Sequence, residues 1–213
     1  MEEDRPALDP DEVTVVAATA NEARPVRRLV PQLRLVRAGI GLADLGAAPS
    51  TQVAFSVGLA GGFDPELAPG TVVIPREVAR EDGVMMACDV AWSTALEHAS
   101  LRLGFPTVTE PLLCAAAVVT HAGRATWFAK GFAAVDMETA LLTGMVPRVA
   151  AVRVILDTPL HEISPAWVHP RRAAADPRNW REMAWLARWV PRYTKRAALV
   201  IAAALEDVAR GSR

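Results

Sequence analysis

Cysteine is scarce in this chain of 213 residues, with only Cys88 and Cys114. They lie 26 positions apart with no CxxC and no histidine pair nearby, so neither a disulfide scaffold nor a zinc site fits their spacing. Buried free thiols are the reading they support. Lysine is equally scarce: Lys130 and Lys195 are the only two, and arginine supplies the rest of the positive charge. No charge of one sign dominates, since 23 basic against 24 acidic residues leave a net charge of −1. That balance excludes a protein held to nucleic acid or anionic lipid by bulk attraction. Long hydrophobic runs are missing as well. The stretch Ala197–Leu205 falls far short of the roughly 18 residues that span a bilayer. The acidic start, Met1-Glu2-Glu3-Asp4, lacks the basic region of a signal peptide. A cytoplasmic location is the expectation.

The chain is nevertheless apolar, with 52% hydrophobic residues and a mean hydropathy of +0.19. Residues 1–12 are polar and proline-bearing and read as a loose tail, leaving 13–213 as one domain. Apolar β-rich runs follow at Val13–Ala18, Leu33–Val36, Val53–Val57, Thr71–Ile74, Ala133–Val135 and Ala150–Leu156. Continuous rather than alternating apolar runs suit strands buried on both faces of a mainly parallel sheet. Helical patterns lie at Ser93–Leu103, Glu138–Met145 and Asn179–Arg210, the last expected to break in two at Pro191. The fold class is therefore α/β with a helical C-terminal end.

In open α/β sheets ligands bind beyond the carboxyl ends of the strands. The residues that follow the strand runs are Thr19-Ala20-Asn21-Glu22, then Asp136-Met137-Glu138, then Asp157-Thr158-Pro159. Three strand ends thus deliver carboxylates to one edge. Each has a structural alternative, because an acid suits the first turn of a helix and aspartate suits a cap. Their convergence favours a site. The loop Gly58-Leu59-Ala60-Gly61-Gly62 offers small residues that let a ligand approach the backbone. Sharper motifs fail. Gly39-Ile40-Gly41 lacks the third glycine of a dinucleotide fingerprint, and Ser56 is not followed by the helix of a nucleophile elbow. His98, His121, His161 and His169 have no metal-binding spacing.

Four segments in order resemble the nucleoside phosphorylase and methylthioadenosine/S-adenosylhomocysteine nucleosidase superfamily. They are the Gly39-Ile40-Gly41 turn, the Gly58–Pro75 block, Ala134-Val135-Asp136-Met137-Glu138, and Val152-Arg153-Val154-Ile155-Leu156-Asp157. Glu22-Ala23-Arg24 and the tail from Trp180 to Ala209 are most similar to its hopanoid-associated branch, which is implicated in removing adenine from an adenosyl-hopane. The resemblance implies a three-layer α/β/α fold on a mixed, mostly parallel sheet. It implies Glu138 and Met137 at the ribose, Asp157 as proton donor to purine N7, and Glu22 as activator of the attacking water. Ala60 and Gly61 would lie beside the base and the anomeric carbon. No metal or organic cofactor is implied, and a homodimer is.

Hydrolysis is favoured over phosphorolysis, because Glu22 stands where phosphorylases carry a Gly-Asp-Pro turn and no arginine precedes Gly58 in its strand. Arg24 and Arg37 remain as sources of positive charge for a phosphate co-substrate. The alternatives are a phosphate-dependent phosphorylase and, from another class, a non-catalytic nucleoside-binding protein. Leu156 stands where relatives carry serine, which leaves the partner of Asp157 open. Trp127, Phe128 and Phe63 are the candidates for stacking on the base, although a place in the core is the favoured reading of each. In the tail, positions 182, 185, 186, 189 and 190 fall on one helical stripe. It reads as a face packed on the sheet or a second subunit, or as a lip for an apolar 5′ substituent or a membrane surface.

Overall fold

The computed structural model of the chain describes residues 12–168 and 170–211. The tail expected over 1–12 lies, apart from Glu12, outside them, as does His169. Ten strands form one sheet: β1 (Val13–Ala17), β2 (Arg34–Arg37), β3 (Val53–Gly62), β4 (Val72–Val73), β5 (Glu77–Arg80), β6 (Met85–Ala87), β7 (Thr107–Val108), β8 (Leu112–Cys114), β9 (Ala134–Asp136) and β10 (Arg148–Asp157). Six pairings are parallel and three antiparallel, β3–β9, β4–β10 and β5–β6. The sheet is mixed and mostly parallel. The helices are α1 (Ala20–Leu29), α2 (Val90–Arg102), α3 (His121–Ala129), α4 (Thr139–Leu142), α5 (Pro170–Ala175) and α6 (Trp180–Gly211).

The two-residue alternation of a strand sorts side chains between the faces. Val13, Val15 and Ala17 of β1, with Val53, Phe55 and Val57 of β3 and Ala150, Val152 and Val154 of β10, share one core with α1, α2 and α6. Val16, Ala54 and Val149 face the opposite side, packing with Leu142 and Val146 at α4. This yields three layers.

Strand β3 controls the layout. Its first half pairs with β1 on one edge and β10 on the other, both parallel. Its last residues, Gly61 and Gly62, pair antiparallel with β9. Where β1 ends at Ala17 and β9 joins further along, the strands fork and open a gap beyond the end of β1. Strand β10 stays with β3 to Asp157, opposite Gly61, after a register shift between Ile155 and Asp157.

Pro191 does not break the C-terminal tract, because α6 runs unbroken through it. Proline removes one backbone N–H, but Pro191 is exposed, so water can satisfy the carbonyl that loses its partner. On either side of it Trp189 and Tyr193 stack at 5.5 Å, and Thr194 Oγ1 donates to the Val190 carbonyl. The anticipated stripe at 182, 185, 186, 189 and 190 is the half-buried face of this helix. Among the described residues no helix is long and apolar enough to cross a membrane. Cys88 and Cys114 are free and buried, and burial pushes both thiols up to about 12, away from nucleophilic chemistry.

Candidate active site

A cavity of about 240 Å³ occupies the strand fork. Glu22, Ala60, Gly61, Met137, Glu138 and Asp157 all line it. Residues from four segments, separated by up to 135 positions, therefore meet at one place. The three carboxylates are buried, each about 6% exposed.

Glu22 serves two ends. It completes a capping box at the start of α1, where Thr19 N and Oγ1 donate to Oε2 at 2.8 and 2.7 Å. Its Oε1 accepts from the Leu59 amide at 3.0 Å, which ties α1 to the glycine loop. The structural alternative for this residue, a first-turn acid, thus holds along with its place in the cavity. Gly58 leaves room for it, because a Cβ there would lie 2.5 Å from Nη1 of Arg153 and closer still to Glu22, and one of these buried side chains would have to shift.

Glu138 follows β9 and accepts from the Gly41 amide at 2.9 Å. That contact explains the early glycine turn. Gly39 and Gly41 hold φ of +74° and +62°, conformations glycine adopts without strain, and so aim the amide at the carboxylate. Burial pushes the Glu138 carboxyl up to about 7, against the nearby charge of Arg153 and with help from Asp136 and Glu22.

Arg153, on β10, is the first residue to which sequence reasoning assigned no role. It is 1% exposed and faces three acids. Its Nη2 lies 2.7 Å from Asp136 and 3.4 Å from Glu138, and donates to Ser56 and Thr139. Its Nε is buried and has no partner among the described residues. Its signal was a charged residue inside an otherwise apolar strand, which is stable only when paired.

Arg124, on α3, is the second. It is likewise 1% exposed, lines the cavity, and pairs with Asp157 and, at 3.2 Å, with Glu162. It fills the place left open by Leu156, and the Ile163 amide adds a bond at 3.2 Å to Asp157 Oδ2. Burial raises the Asp157 carboxyl above its ordinary range despite the Arg124 charge. Sequence reasoning did not mark α3 as a helix, so nothing pointed to this side chain.

Two sets of candidates named from the sequence do not reach the cavity. Phe63, Trp127 and Phe128 do not line the cavity. Phe63 is in the core, Trp127 packs edge-on against Phe132 at 5.2 Å, and Phe128 is 45% exposed. The aromatic at the cavity is Trp167. Arg24 and Arg37 do not reach it either, since α1 and the edge strand β2 present both to solvent. The cations near the carboxylates are Arg124 and Arg153. Among the described residues no group of three His, Cys, Asp or Glu is placed to hold a metal ion.

An acid-lined cavity at the switch point of a three-layer sheet marks this as an α/β protein of the nucleoside-phosphorylase fold. The chain belongs to the Phosphorylase superfamily, whose family profile matches residues 34–163. Solved structures share the fold at low identity. The 5′-methylthioadenosine/S-adenosylhomocysteine nucleosidase of Campylobacter jejuni matches with TM-score 0.67 and 14% identity, over 92% of this chain and 99% of that one. Futalosine hydrolase of Helicobacter pylori matches with TM-score 0.67 and 11% identity, over 92% and 98%. The S-adenosylhomocysteine nucleosidase of Streptococcus pyogenes, solved with a methylthio nucleoside analogue, matches with TM-score 0.68 and 16% identity, over 94% and 98%. No curated protein sequence matches.

Proposed function

We propose that this protein cleaves the N-ribosyl bond of a purine nucleoside by hydrolysis. The observation that carries the reading is the convergence of Glu22, Glu138 and Asp157 on one cavity, where the lining Arg124 and the buried Arg153 beside Glu138 are already paired with carboxylates. Breaking the C1′–N9 bond sends its electron pair to the base and leaves positive charge on the sugar. Buried carboxylates stabilise that charge, and Glu138 is placed for the ribose hydroxyls with Met137 beside the sugar. Asp157, its carboxyl raised by burial, gives a proton to N7 of the departing base. Water attacks C1′, and Glu22 takes its proton. Ala60 and Gly61 allow base and anomeric carbon to approach the backbone.

Water is preferred to phosphate as the nucleophile. Arg124 is paired with Asp157 and Glu162, and Arg153 with Asp136 and Glu138, so both buried arginines already have carboxylate partners that a phosphate dianion would have to displace. The nucleosidase and the hydrolase that share this fold are in keeping with this choice. Adenine is the base we assign. Ile40, Val118, Ile163 and Trp167 give the cavity an apolar wall. It suits a nucleoside with an apolar 5′ substituent, in the extreme an adenosyl lipid. A cytoplasmic homodimer completes the reading.

The test is incubation with adenosine, methylthioadenosine and an adenosyl lipid, with and without phosphate. Free adenine and free sugar without phosphate are expected. Strict phosphate dependence, with sugar 1-phosphate as product, would make the protein a phosphorylase. Nucleoside binding without any base release would make it a binding protein. Asp157→Asn should abolish release while the protein stays folded, and an active variant would remove Asp157 as the proton donor.

A further inference from the structure

The two oxygens of Asp157 are not equivalent. Oδ2 receives Arg124 Nη2 and the Ile163 amide, the latter at 3.2 Å. Among the described residues no donor is bonded to Oδ1. Oδ1 lies against Gly61, close enough that a Cβ there would stand 3.2 Å from it, and Gly61 lines the cavity. The carboxylate is therefore held by one oxygen and presents the other.

The guanidinium that holds it is anchored independently of Asp157. Arg124 Nη1 donates to the Gly62 carbonyl and Nε to the Val119 carbonyl, both at 2.9 Å. One side chain from α3 thus joins the end of β3, the segment before α3 and the end of β10. Its planar fork makes these bonds in directions an ammonium cannot reproduce. The groups that face Asp157 are Arg124 from α3, Glu162 and the Ile163 amide from the segment after β10. Arg124 is also paired with Glu162, its Nε lying 3.2 Å from Oε1.

We propose that Arg124 is the positioning residue for Asp157, fixing Oδ2 so that Oδ1 carries the proton delivered to the leaving base. The inference rests on the base-releasing reading above and deepens it. Arg124 contributes orientation through its fork, and its charge sets the pH at which Oδ1 gives up its proton.

The experiment compares wild type, Arg124→Lys and Arg124→Met in two readouts. One is the pH profile of base release from a nucleoside, and the other is the ¹³C-carboxyl titration of Asp157 in the free protein. Without the cation the Asp157 proton is held more tightly, so in Arg124→Met the high-pH limb of kcat/KM and the titration midpoint should both move upward. Its kcat should fall roughly 10- to 100-fold with KM little changed. Arg124→Lys keeps the charge and loses the fork, so the limb should stay at the wild-type pH while kcat still falls. An active wild type whose kcat and profile are matched by both variants would overturn the proposal and leave the hydrolase reading standing. So would full recovery of kcat in Arg124→Lys. If Arg124→Met does not fold, Arg124→Lys alone decides by the same criterion. If wild type releases no base, the hydrolase reading fails and the titration judges Arg124. An upward midpoint in Arg124→Met then supports its hold on Asp157, and an unmoved one overturns it.

Discussion

At the residue scale the site is built from arginines outnumbered by acids. Arg153 stands among Asp136, Glu138 and Glu22, and Arg124 between Asp157 and Glu162. A buried carboxylate that shares its cation pays for desolvation only in part, and its proton affinity rises. For Glu138 this has a measurable sign. Its carboxyl titrates near about 7, and the ribose hydroxyls need the ionised form as acceptor. Affinity for a non-cleavable nucleoside analogue should therefore increase as pH rises through that value and level off above it. Only about a tenth of the groups are ionised one unit below the midpoint, so the gain from about pH 6 to about pH 8 should approach tenfold. Calorimetric titration across that range checks it. Glu138→Gln, which cannot ionise, should bind weakly with a flat profile, and a pH-dependent Glu138→Gln would assign the effect to another group.

At the element scale the segment after β10 behaves as a strap. It leaves Asp157, places Ile163, Ser164 and Trp167 on the cavity, and is tied to the first turns of α6. Glu182 accepts from the Ser164 amide at 2.8 Å and from the Trp167 indole at 2.7 Å, and His161 lies 4.9 Å from the Trp185 ring. The tryptophan stripe thus helps hold the wall of the site. Glu182→Ala should raise KM about 3- to 10-fold through a looser wall, with a smaller effect on kcat. Faster amide exchange at Ser164 and Trp167 would accompany it, and unchanged KM with unchanged exchange would refute the strap. The stripe was legible because a helix repeats every 3.6 residues and the burial follows the same period. The strand-end acids were legible because apolar runs mark where strands stop. Arg124 was not, because α3 carries glycine and little polar contrast, and its partner lies 33 positions away on another element. The unbroken α6 was missed for a different reason: whether proline stops a helix depends on what faces the lost N–H, and sequence does not display that.

At the scale of the whole molecule, stability and chemistry occupy different ends. The largest core joins α1, α2 and α6 to one face of β1, β3 and β10, and it contains the fully buried Ala197, Ala198, Val200, Ile201 and Ala204 of α6. The carboxylates instead sit at or just after the strand ends, fixed by backbone amides and by the two arginines. Ile201 lies 19 positions beyond Glu182, about 28 Å along the helix axis. Truncating it removes methyl groups from the core, and Ile201 itself does not line the cavity. Ile201→Ala should therefore cost about 2–5 kcal/mol of unfolding free energy. A urea titration should show a lower midpoint with an unchanged slope, as expected when the loss is in stability alone. Well below its unfolding temperature the variant should keep wild-type kcat and KM. A variant as destabilised as expected but with a lowered kcat would mean that α6 transmits core packing to the site through Glu182 and Trp185, and that the two ends of the molecule are coupled.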